Sequence, residues 1–495
     1  MRRPRRLGSH QKPSPQDRSP FSDRLLAAEI GVASGLQAES CCSIVSTQMK
    51  RIILLLGMAG WLASALGAEP TGKFFPYSWS YEALPNGLRV VTVPTDDPNL
   101  VALYLVVRTG SRNEVEAGKS GYAHLFEHMM FRGSEHFTAE QRDNILKKAG
   151  AHNNAYTTDD RTVYHVLFSK SDLEQVMELE ADRFMRLKYS KDLYKTETRA
   201  VLGEYNKNFS APGNKLDEVL RSTAYSVHTY HHGTMGFIED IEDMPNQYDY
   251  SWVFYRRYYR PENTTILLVG DVKPEQSLAL VKKYFGAWER GDYRPEIKPE
   301  PPQEAPRGTH VDWTSPTLPL VTVAYRAPAY SDEGVEKAAL DLLLPIAFGE
   351  NSELYQKLVL REQKVEVLAA GCDDHVDAEL FSVSARVKDR KDLEYVRDQI
   401  IATFDRFAKE PVPQAQLTMT RARARYGTAL GWNSANSIAG FLAPYLGLRE
   451  TPETIEKLFK LYDRISAEEI QAAAKKYFSP NNRTVVTLAT KPETK

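Results

Sequence analysis

Cysteine is scarce in this sequence, and its scarcity limits how the chain can be stabilised or bind metal. Only three cysteines occur among 495 residues. Two of them, Cys41 and Cys42, fall in an amino-terminal stretch that we expect to be absent from the mature protein, which leaves Cys372 alone. One cysteine can neither form an internal disulfide nor build a thiolate metal site. Any metal ligands must therefore be histidines and carboxylates.

The sequence also lacks an excess of charge of either sign. Its 63 basic and 65 acidic side chains give a net charge of -2. A basic surface is the usual electrostatic footprint of a nucleic-acid binder, so we expect no nucleic-acid partner. The composition, 42% apolar and 26% charged, is that of a globular protein, and the length predicts more than one domain.

An apolar run near the amino end predicts an export signal. Met49 is followed by Lys50 and Arg51 and then by IILLLGMAGWLASALG, which closes on small residues. A basic start, an apolar stretch too short for a comfortable membrane span and small residues at the cleavage point favour a signal peptide over 49–68. A buried core helix is the alternative. We expect residues 1–48 to be a non-native upstream extension, and the mature protein to be periplasmic with no stable membrane anchor after cleavage.

A proline- and glutamate-rich segment, RPEIKPEPPQEAPRG at 294–308, predicts a linker. It divides the mature chain into a first domain over 75–293 and a second domain over 309–495. The two domains look like copies, because DLEQVMELEADRF resembles DLEYVRDQIIATFDRF and RPENTTILLV resembles SPNNRTVVTL at one offset of about 220 residues. Two matches at one offset and in one order predict a duplicated domain.

Each copy mixes strand and helix patterns. The β-branched runs at 101–110 and 319–328 predict strands, and the amphipathic stretches at 141–150 and 171–187 predict helices. A Ser-Asp pair at the start of the last stretch is typical of a helix cap. We expect an α+β fold of two homologous domains that face each other as a clamshell, each a largely antiparallel sheet with helices packed on one face.

The stretch GYAHLFEHMM, residues 121–130, holds the most informative side chains of the sequence. The helix that it opens has glycines at both ends and no proline or β-branched residue, and we expect about three turns. His124, Glu127 and His128 then share one face, because residues three and four apart are neighbours on a helix. Two imidazoles at that spacing can bind one zinc ion while the carboxylate polarises a water, which favours a hydrolytic zinc site. A pair of hydrogen-bonded histidines on a half-buried helix is the alternative.

The second copy provides an internal control for this interpretation. At the same offset it reads LDLLLPIAF, with Leu343, Ile346 and Ala347 in the positions of the three polar groups. The fold therefore does not require those groups, which favours a functional role for them in the first copy. We expect the second domain to lack the zinc ligands.

A catalytic zinc ion usually has three protein ligands and keeps one position for water, so one more ligand must come from elsewhere in the first domain. Spacing alone does not identify it. The candidates are carboxylates in predicted helices and other histidines of the first half: Glu174, Glu178, Glu180, Glu197, Glu204, His152, His165, His228, His231 and His232.

The motif resembles the signature of the M16, or pitrilysin-type, inverzincin metallopeptidases, in which H-x-x-E-H is followed at a distance by a glutamate ligand. The resemblance covers about residues 75–490 and implies a duplicated fold. It implies that His124, His128 and Glu204 bind one zinc ion per chain and that Glu127 takes a proton from the attacking water. Glu197 matches an acidic position that supports the site in the family. Length and the single linker are most similar to two-domain bacterial members and mitochondrial processing peptidase subunits.

The resemblance also implies how a peptide substrate binds. In relatives the segment GAHNNAYTTDDRTVYH is an edge strand that pairs with the peptide, so Asn153 and Asn154 are expected to contact substrate. Turn chemistry is the alternative for these asparagines. The family often supplies an Arg and a Tyr, seven residues apart, from the second domain. This chain offers Tyr445 but has Ile438 where the arginine would stand.

That departure bears on the choice between two functions. Arg421, Arg423 and Arg425 lie nearby in the sequence, although such a cluster is typical of a solvated helix face. Some relatives work as heterodimers in which a partner completes the cleft, so a homodimer or a heterodimer with a related subunit is consistent with the departure. The sequence favours a zinc endopeptidase acting on peptides or unfolded segments in the periplasm. A non-catalytic or partner-dependent peptide-binding subunit is the alternative.

Overall fold

The computed structural model describes residues 73–491. The upstream extension and the signal peptide predicted over 1–68 lie outside the described residues. Among the helices of the described region, none combines the length and the apolar content that crossing a membrane requires.

Six strands form the sheet of the first half. They lie in the order β1-β2-β6-β3-β5-β4, and all neighbours are antiparallel except β2 and β6. The strands are β1 (Ser80–Ala83), β2 (Arg89–Pro94), β3 (Leu100–Val107), β4 (His152–Thr157), β5 (Thr162–Ser169) and β6 (Thr264–Gly270). The helices of this half are α1 (Tyr122–Met129), α2 (Ala139–Lys148), α3 (Leu173–Met185), α4 (Lys191–Phe209), α5 (Pro212–Ala224), α6 (Ile238–Asp243), α7 (Tyr248–Tyr258) and α8 (Pro274–Phe285).

Five strands in the second half repeat this plan without a counterpart of β1. They lie in the order β7-β11-β8-β10-β9, and only β7 and β11 are parallel. The strands are β7 (Arg307–Trp313), β8 (Leu320–Arg326), β9 (Val365–Gly371), β10 (Leu380–Val387) and β11 (Arg483–Thr490). The helices are α9 (Val335–Phe348), α10 (Glu353–Tyr355), which continues as a π-helix over Gln356–Arg361, α11 (Leu393–Lys409), α12 (Gln414–Leu430), α13 (Ala435–Arg449), α14 (Glu453–Arg464) and α15 (Ala467–Tyr477).

The repeated sequence segments coincide with this repeated topology. The two matched helical segments cover most of α3 and α11, and the two matched strand segments cover most of β6 and β11. Both of these strands insert between a parallel and an antiparallel neighbour. The prediction of an α+β fold with two homologous, largely antiparallel domains is confirmed.

Helices cover both faces of the first sheet, which is more than the sequence predicted. Alternate residues of a strand point to opposite faces, and nearly every residue of β3 is buried. One set packs against helices of its own half, and the other set, which includes Ala102 and Tyr104, packs against α13 of the second half. In return, Leu216 and Leu220 of α5 pack on the second sheet beside Val486. Helix α13 of the second half thus packs on the first sheet, and helix α5 of the first half packs on the second sheet.

The segment predicted as a linker is fastened to the folded halves. Residues 294–306 have no helix or strand, and β7 begins at Arg307, inside the predicted segment. Glu300 lies near the middle, and its carboxylate accepts hydrogen bonds from the backbone N–H groups of Ser226, Val227 and His228 at 2.7–2.9 Å. The segment therefore connects the halves while it is held against the first half by the Glu300 carboxylate.

Candidate metal centre and active site

A carboxylate from outside α1 holds the amino end of that helix. Gly121 precedes α1 with a left-handed backbone (φ 85°), and a Cβ there would lie 2.4 Å from the Ile241 side chain, so glycine is required. Glycine cannot cap the helix with a side chain. Glu114 does so instead, accepting hydrogen bonds from the N–H of Gly121 at 2.8 Å and of Ala123 at 2.7 Å. Its burial raises the pKa of Glu114.

The helix is shorter than predicted. We expected about three turns, whereas α1 spans eight residues, Tyr122–Met129. The chain then tightens, because the N–H of Phe131 bonds to the carbonyl of His128 and the N–H of Arg132 to that of Met129, and Gly133 turns away with φ 114°. The two histidines lie within the regular part, so their common face is preserved.

His124 and His128 converge on a carboxylate from α4. Nε2 of His124 lies 3.6 Å from Oε2 of Glu204, and Nε2 of His128 lies 3.4 Å from the same oxygen. Ligands about 2.0–2.1 Å from a tetrahedral zinc ion are roughly 3.3 Å apart, so the observed separations fit one ion. Within the described residues, this is the one cluster of histidine, cysteine or carboxylate groups close enough to hold a metal ion.

Burial and charge set the protonation of the two histidines in opposite directions. Burial lowers the pKa of His124 to about 4, and the neighbouring His128 lowers it further than Glu204 can raise it. Burial also acts to lower the pKa of His128, but the carboxylates of Glu197 and Glu204 raise it to about 9. The interaction with His128 lowers the pKa of Glu204. Without a metal ion, a proton on His128 therefore supplies positive charge beside the Glu204 carboxylate, while His124 is neutral.

Glu197 stands behind the site on the same helix as Glu204. Its Oε2 lies 3.8 Å from Nδ1 of His128, the ring nitrogen opposite the one that faces Glu204. That distance is too long for a hydrogen bond, and among the described residues this buried oxygen has no hydrogen-bond partner. Its Oε1 binds Nε of Arg132 at 2.8 Å. Arg132 therefore orients Glu197, and the negative charge of Glu197 acts on the Nδ1 side of the His128 ring.

Glu127 lies beside the three converging groups and is bonded to the sheet. The hydroxyl of Thr157 donates to Oε2 of Glu127 at 2.7 Å. Burial raises the pKa of Glu127, and the bond from Thr157 opposes that effect. A half-buried carboxylate with one oxygen engaged and a raised pKa is well suited to exchange a proton.

The predicted substrate strand is β4, an edge strand that pairs only with β5. Asn153 and Asn154 are exposed and lie inside the strand, so turn chemistry does not account for them. Side chains alternate along a strand, and Ala155 packs into the core that contains α1. Asn153, Ala155 and Thr157 therefore lie on the side of the metal-binding helix, while Asn154 lies on the opposite side.

Tyr445 lies away from the cluster of His124, His128 and Glu204. Its ring centroid lies 5.3 Å from that of Phe441 and 6.0 Å from that of Tyr330, and burial raises the pKa of its phenol. In residues 73–491 no hydrogen bond, ion pair or ring contact connects Tyr445 to the residues of the metal centre. Ile438, in the place of the family arginine, is buried against the first sheet.

The arginines near Ile438 are only partly solvated. Arg425 pairs with Asp463 at 3.0 Å, Arg421 donates to the carbonyl of Ile465, and Arg423 is exposed. The expectation of a solvated helix face therefore holds for one of the three.

The remaining candidate ligands have other neighbours. Glu174 pairs with Lys283, and Glu180 is buried with Arg142 and Arg183. Among the histidines, His165 stacks on Tyr104 and His228 bonds to Asp377. The others lie on exposed positions or beside groups outside the metal centre: Glu178, His152, His231 and His232.

A cavity of about 590 Å³ begins where β4 ends. Thr158, which follows Thr157 directly, forms part of the wall of this cavity. Both halves contribute, and the wall includes Asp159, Arg161, Arg221, Asp373, His375 and Tyr445. The volume lies within the range of roughly 300–1,000 Å³ found for ligand sites, so several atoms of a bound peptide can enter it.

Sequence reasoning missed three residues that shape the site: Thr157, Arg132 and Glu114. Thr157 lies within the segment already assigned to the edge strand, and the period of two places it on the face of Ala155. Arg132 follows His128 by four residues, a helical spacing that could have suggested a neighbour. Glu114 carries no local signal, because it caps a helix that begins after an intervening loop.

Comparisons with known proteins give concordant matches. Residues 89–236 match the family model described as Insulinase (Peptidase family M16), and residues 251–424 match that of the Peptidase M16 inactive domain. The chain is similar to the zinc protease PqqE of Helicobacter pylori, with 27% identity over 454 residues that cover 88% of this chain and 98% of the relative.

Solved structures with a similar fold include two bacterial proteases. The crystal structure of a protease from Helicobacter pylori superposes with a TM-score of 0.78 and 27% identity, over 84% of this chain and 100% of that one. The first half of the periplasmic protease PqqL from Escherichia coli superposes with a TM-score of 0.68 and 19% identity, over 83% of this chain and 92% of that one.

Proposed function

This chain belongs to the M16 peptidase family, and from that premise we propose that it is a zinc-dependent endopeptidase that hydrolyses peptides or unfolded segments. The observation that carries the proposal is the convergence of His124, His128 and Glu204, with the carboxylate of Glu127 beside them. The second half has Leu343, Ile346 and Ala347 buried at the equivalent positions. We assign one zinc ion to each chain.

The chain supplies the remaining functions through its own side chains. A zinc ion held by His124, His128 and Glu204 would polarise a substrate carbonyl and lower the pKa of a water molecule. Glu127 takes a proton from the attacking water and returns it to the leaving amine. Glu197 keeps the imidazole of His128 oriented through its charge on the Nδ1 side.

Substrate recognition is assigned to the free edge of β4. An extended peptide that adds to this edge satisfies its backbone groups by hydrogen bonding, which favours recognition of backbone shape over one fixed sequence. Asn153, on the face of the metal-binding helix, is placed to contact such a peptide. Asn154 lies on the other face, where it would contact the opposite side of the peptide strand.

Domain organisation and location complete the proposal. We assign the catalytic domain to 75–293 and the domain without ligands to 309–495, joined by 294–308. The signal peptide expected over 49–68 supports a periplasmic location, and the name of the PqqL relative is in keeping with it. Substrates are then peptides or unfolded segments of exported proteins.

A partner-dependent form of the same activity is favoured by one observation. Ile438 replaces the arginine that family members present to substrate, and it is 1% exposed in the core between the halves. Position 438 therefore offers a substrate no cationic contact. A second copy or a related subunit would then complete the cleft.

Peptide hydrolysis by the purified full chain tests the function. A defined pool of synthetic 20-residue peptides is incubated with zinc-loaded protein and analysed by mass spectrometry. We expect internal cleavage that a chelator abolishes and added zinc restores. Glu127→Gln should retain zinc and lose cleavage by about 100-fold or more, the usual contribution of a general base. Cleavage by Glu127→Gln at the wild-type rate would refute the assigned base, and a zinc-loaded wild type that leaves every peptide uncut would refute the proposed function of the chain alone.

A further inference from the structure

We propose that Thr157 is a positioning residue for Glu127, an inference that rests on the peptidase function proposed above. The Thr157 hydroxyl lies 2.7 Å from Oε2 of Glu127. Thr157 is the last residue of the edge strand β4, and Glu127 projects from α1. This contact therefore links the base to the strand that we assign to peptide binding.

The direction of the hydrogen bond follows from counting protons. A threonine hydroxyl has one proton to donate, and an ionised carboxylate only accepts. Thr162, opposite Thr157 in the β4–β5 ladder, donates its proton to the carbonyl of Thr109 at 2.9 Å. The Thr157 and Thr162 hydroxyl oxygens are 3.4 Å apart, a weaker contact. The proton of Thr157 is thus directed to Glu127.

The contact selects which oxygen of Glu127 does the chemistry. The terminal torsion of a glutamate is broad and roughly two-fold, so a hydrogen bond to one oxygen favours one orientation of the carboxylate. With Oε2 engaged by Thr157, Oε1 is the oxygen that accepts the proton of water. The Thr157 bond can persist throughout, because Oε2 remains an acceptor after Oε1 is protonated.

Removal of the hydroxyl should impair turnover without removing the metal or the substrate. Thr157→Val keeps the shape of the side chain and the backbone of β4, so KM should change by less than about threefold. The loss of a supporting contact to a site residue typically costs about 10- to 100-fold, and we expect that loss in kcat. Thr157→Ser keeps the donor and should recover most of the wild-type kcat.

Kinetics on the synthetic peptide that the wild type cuts fastest provide the test. Zinc affinity is measured in parallel by competition with a chromophoric chelator, and it should be unchanged in Thr157→Val because Glu127 is not a ligand. Thr265→Val is the matched control, since Thr265 is buried in β6 of the same sheet and its hydroxyl has no hydrogen-bond partner within residues 73–491. This control should retain wild-type kcat.

The outcomes separate this inference from the function on which it rests. A wild-type kcat in Thr157→Val, or equal losses in Thr157→Ser and Thr157→Val, would overturn the role of the hydroxyl while the peptidase function stands. Weakened zinc binding in Thr157→Val would likewise overturn it, because the residue would then act on the metal site as a whole. A wild-type chain that cuts none of the peptides overturns the function and this inference together.

Discussion

At the scale of single residues, two histidines on one helix have opposite protonation because their surroundings differ. His124 is deeply buried and has a pKa of about 4, whereas His128 lies between two carboxylates and has a pKa of about 9. In the metal-free protein at neutral pH, His124 is neutral and His128 carries a proton. A metal ion needs the neutral form of both rings.

Zinc uptake should therefore release close to one proton per chain at pH 6, where a zinc-bound water, with a pKa of about 7, is still mostly undissociated. The proton comes from His128, since His124 is already neutral and the lowered pKa of Glu204 keeps it ionised. Calorimetric titration of the metal-free protein with zinc, in two buffers of different ionisation enthalpy, gives the number directly. Release of no proton, or of two, would show that the two rings do not have the assigned states.

The sequence was sufficient to predict the proposed zinc ligands but not the groups that support them. The i, i+4 spacing identified His124 and His128, but Glu204 remained one of ten candidates until the family resemblance selected it. Spacing on a helix is a local property, whereas the approach of α4 to α1 depends on how both pack. Strand alternation and helical spacing place Thr157 and Arg132 near the site, but neither local pattern identifies the carboxylate that each of them bonds.

At the scale of elements, the periodicity of the sequence predicted where helices and strands lie better than it predicted where they end. β3 reads as a continuous apolar run because both of its faces are covered, one of them by α13 of the other half. The helix predicted from 121–130 ends about a turn early, at the 3₁₀-type bonds after His128 and the turn at Gly133. The stretch has no proline or β-branched residue, so its composition did not indicate this early end. The Ser-Asp cap signal was also only partly correct, because Asp172 precedes α3 but makes no side-chain capping bond.

At the scale of the whole molecule, the duplication was evident in the sequence and the joining of the copies was not. Helices α5 and α13 each pack on the sheet of the opposite half, and an amphipathic pattern does not say which sheet will receive a helix. Buried polar contacts add to this joint. Asp159 accepts hydrogen bonds from Arg221 of its own half at 3.1 Å and from His375 of the other half at 3.2 Å.

His375 should make the stability of the molecule depend on pH. Burial acts to lower its pKa, but the bond to Asp159 and nearby carboxylates raise it to about 9, above the unfolded value of 6.5. A raised pKa contributes stability that is full below pH 6.5 and is lost as the pH rises through 9. The shift corresponds to at most about 3 kcal/mol. Melting curves between pH 6 and 9.5 should show wild type losing more stability than His375→Gln, and parallel curves for the two proteins would contradict the assignment.

The proposed function requires one zinc ion bound by residues of the first half alone. Elemental analysis of the full chain, refolded or purified without added chelator, measures this. We predict close to one zinc per chain in the wild type and in Glu127→Gln, and a loss of stoichiometric zinc in His128→Ala and in Glu204→Ala with the fold retained. A wild-type chain that takes up no stoichiometric metal when zinc is supplied, or a His128→Ala variant that binds zinc as tightly as the wild type, would contradict the account.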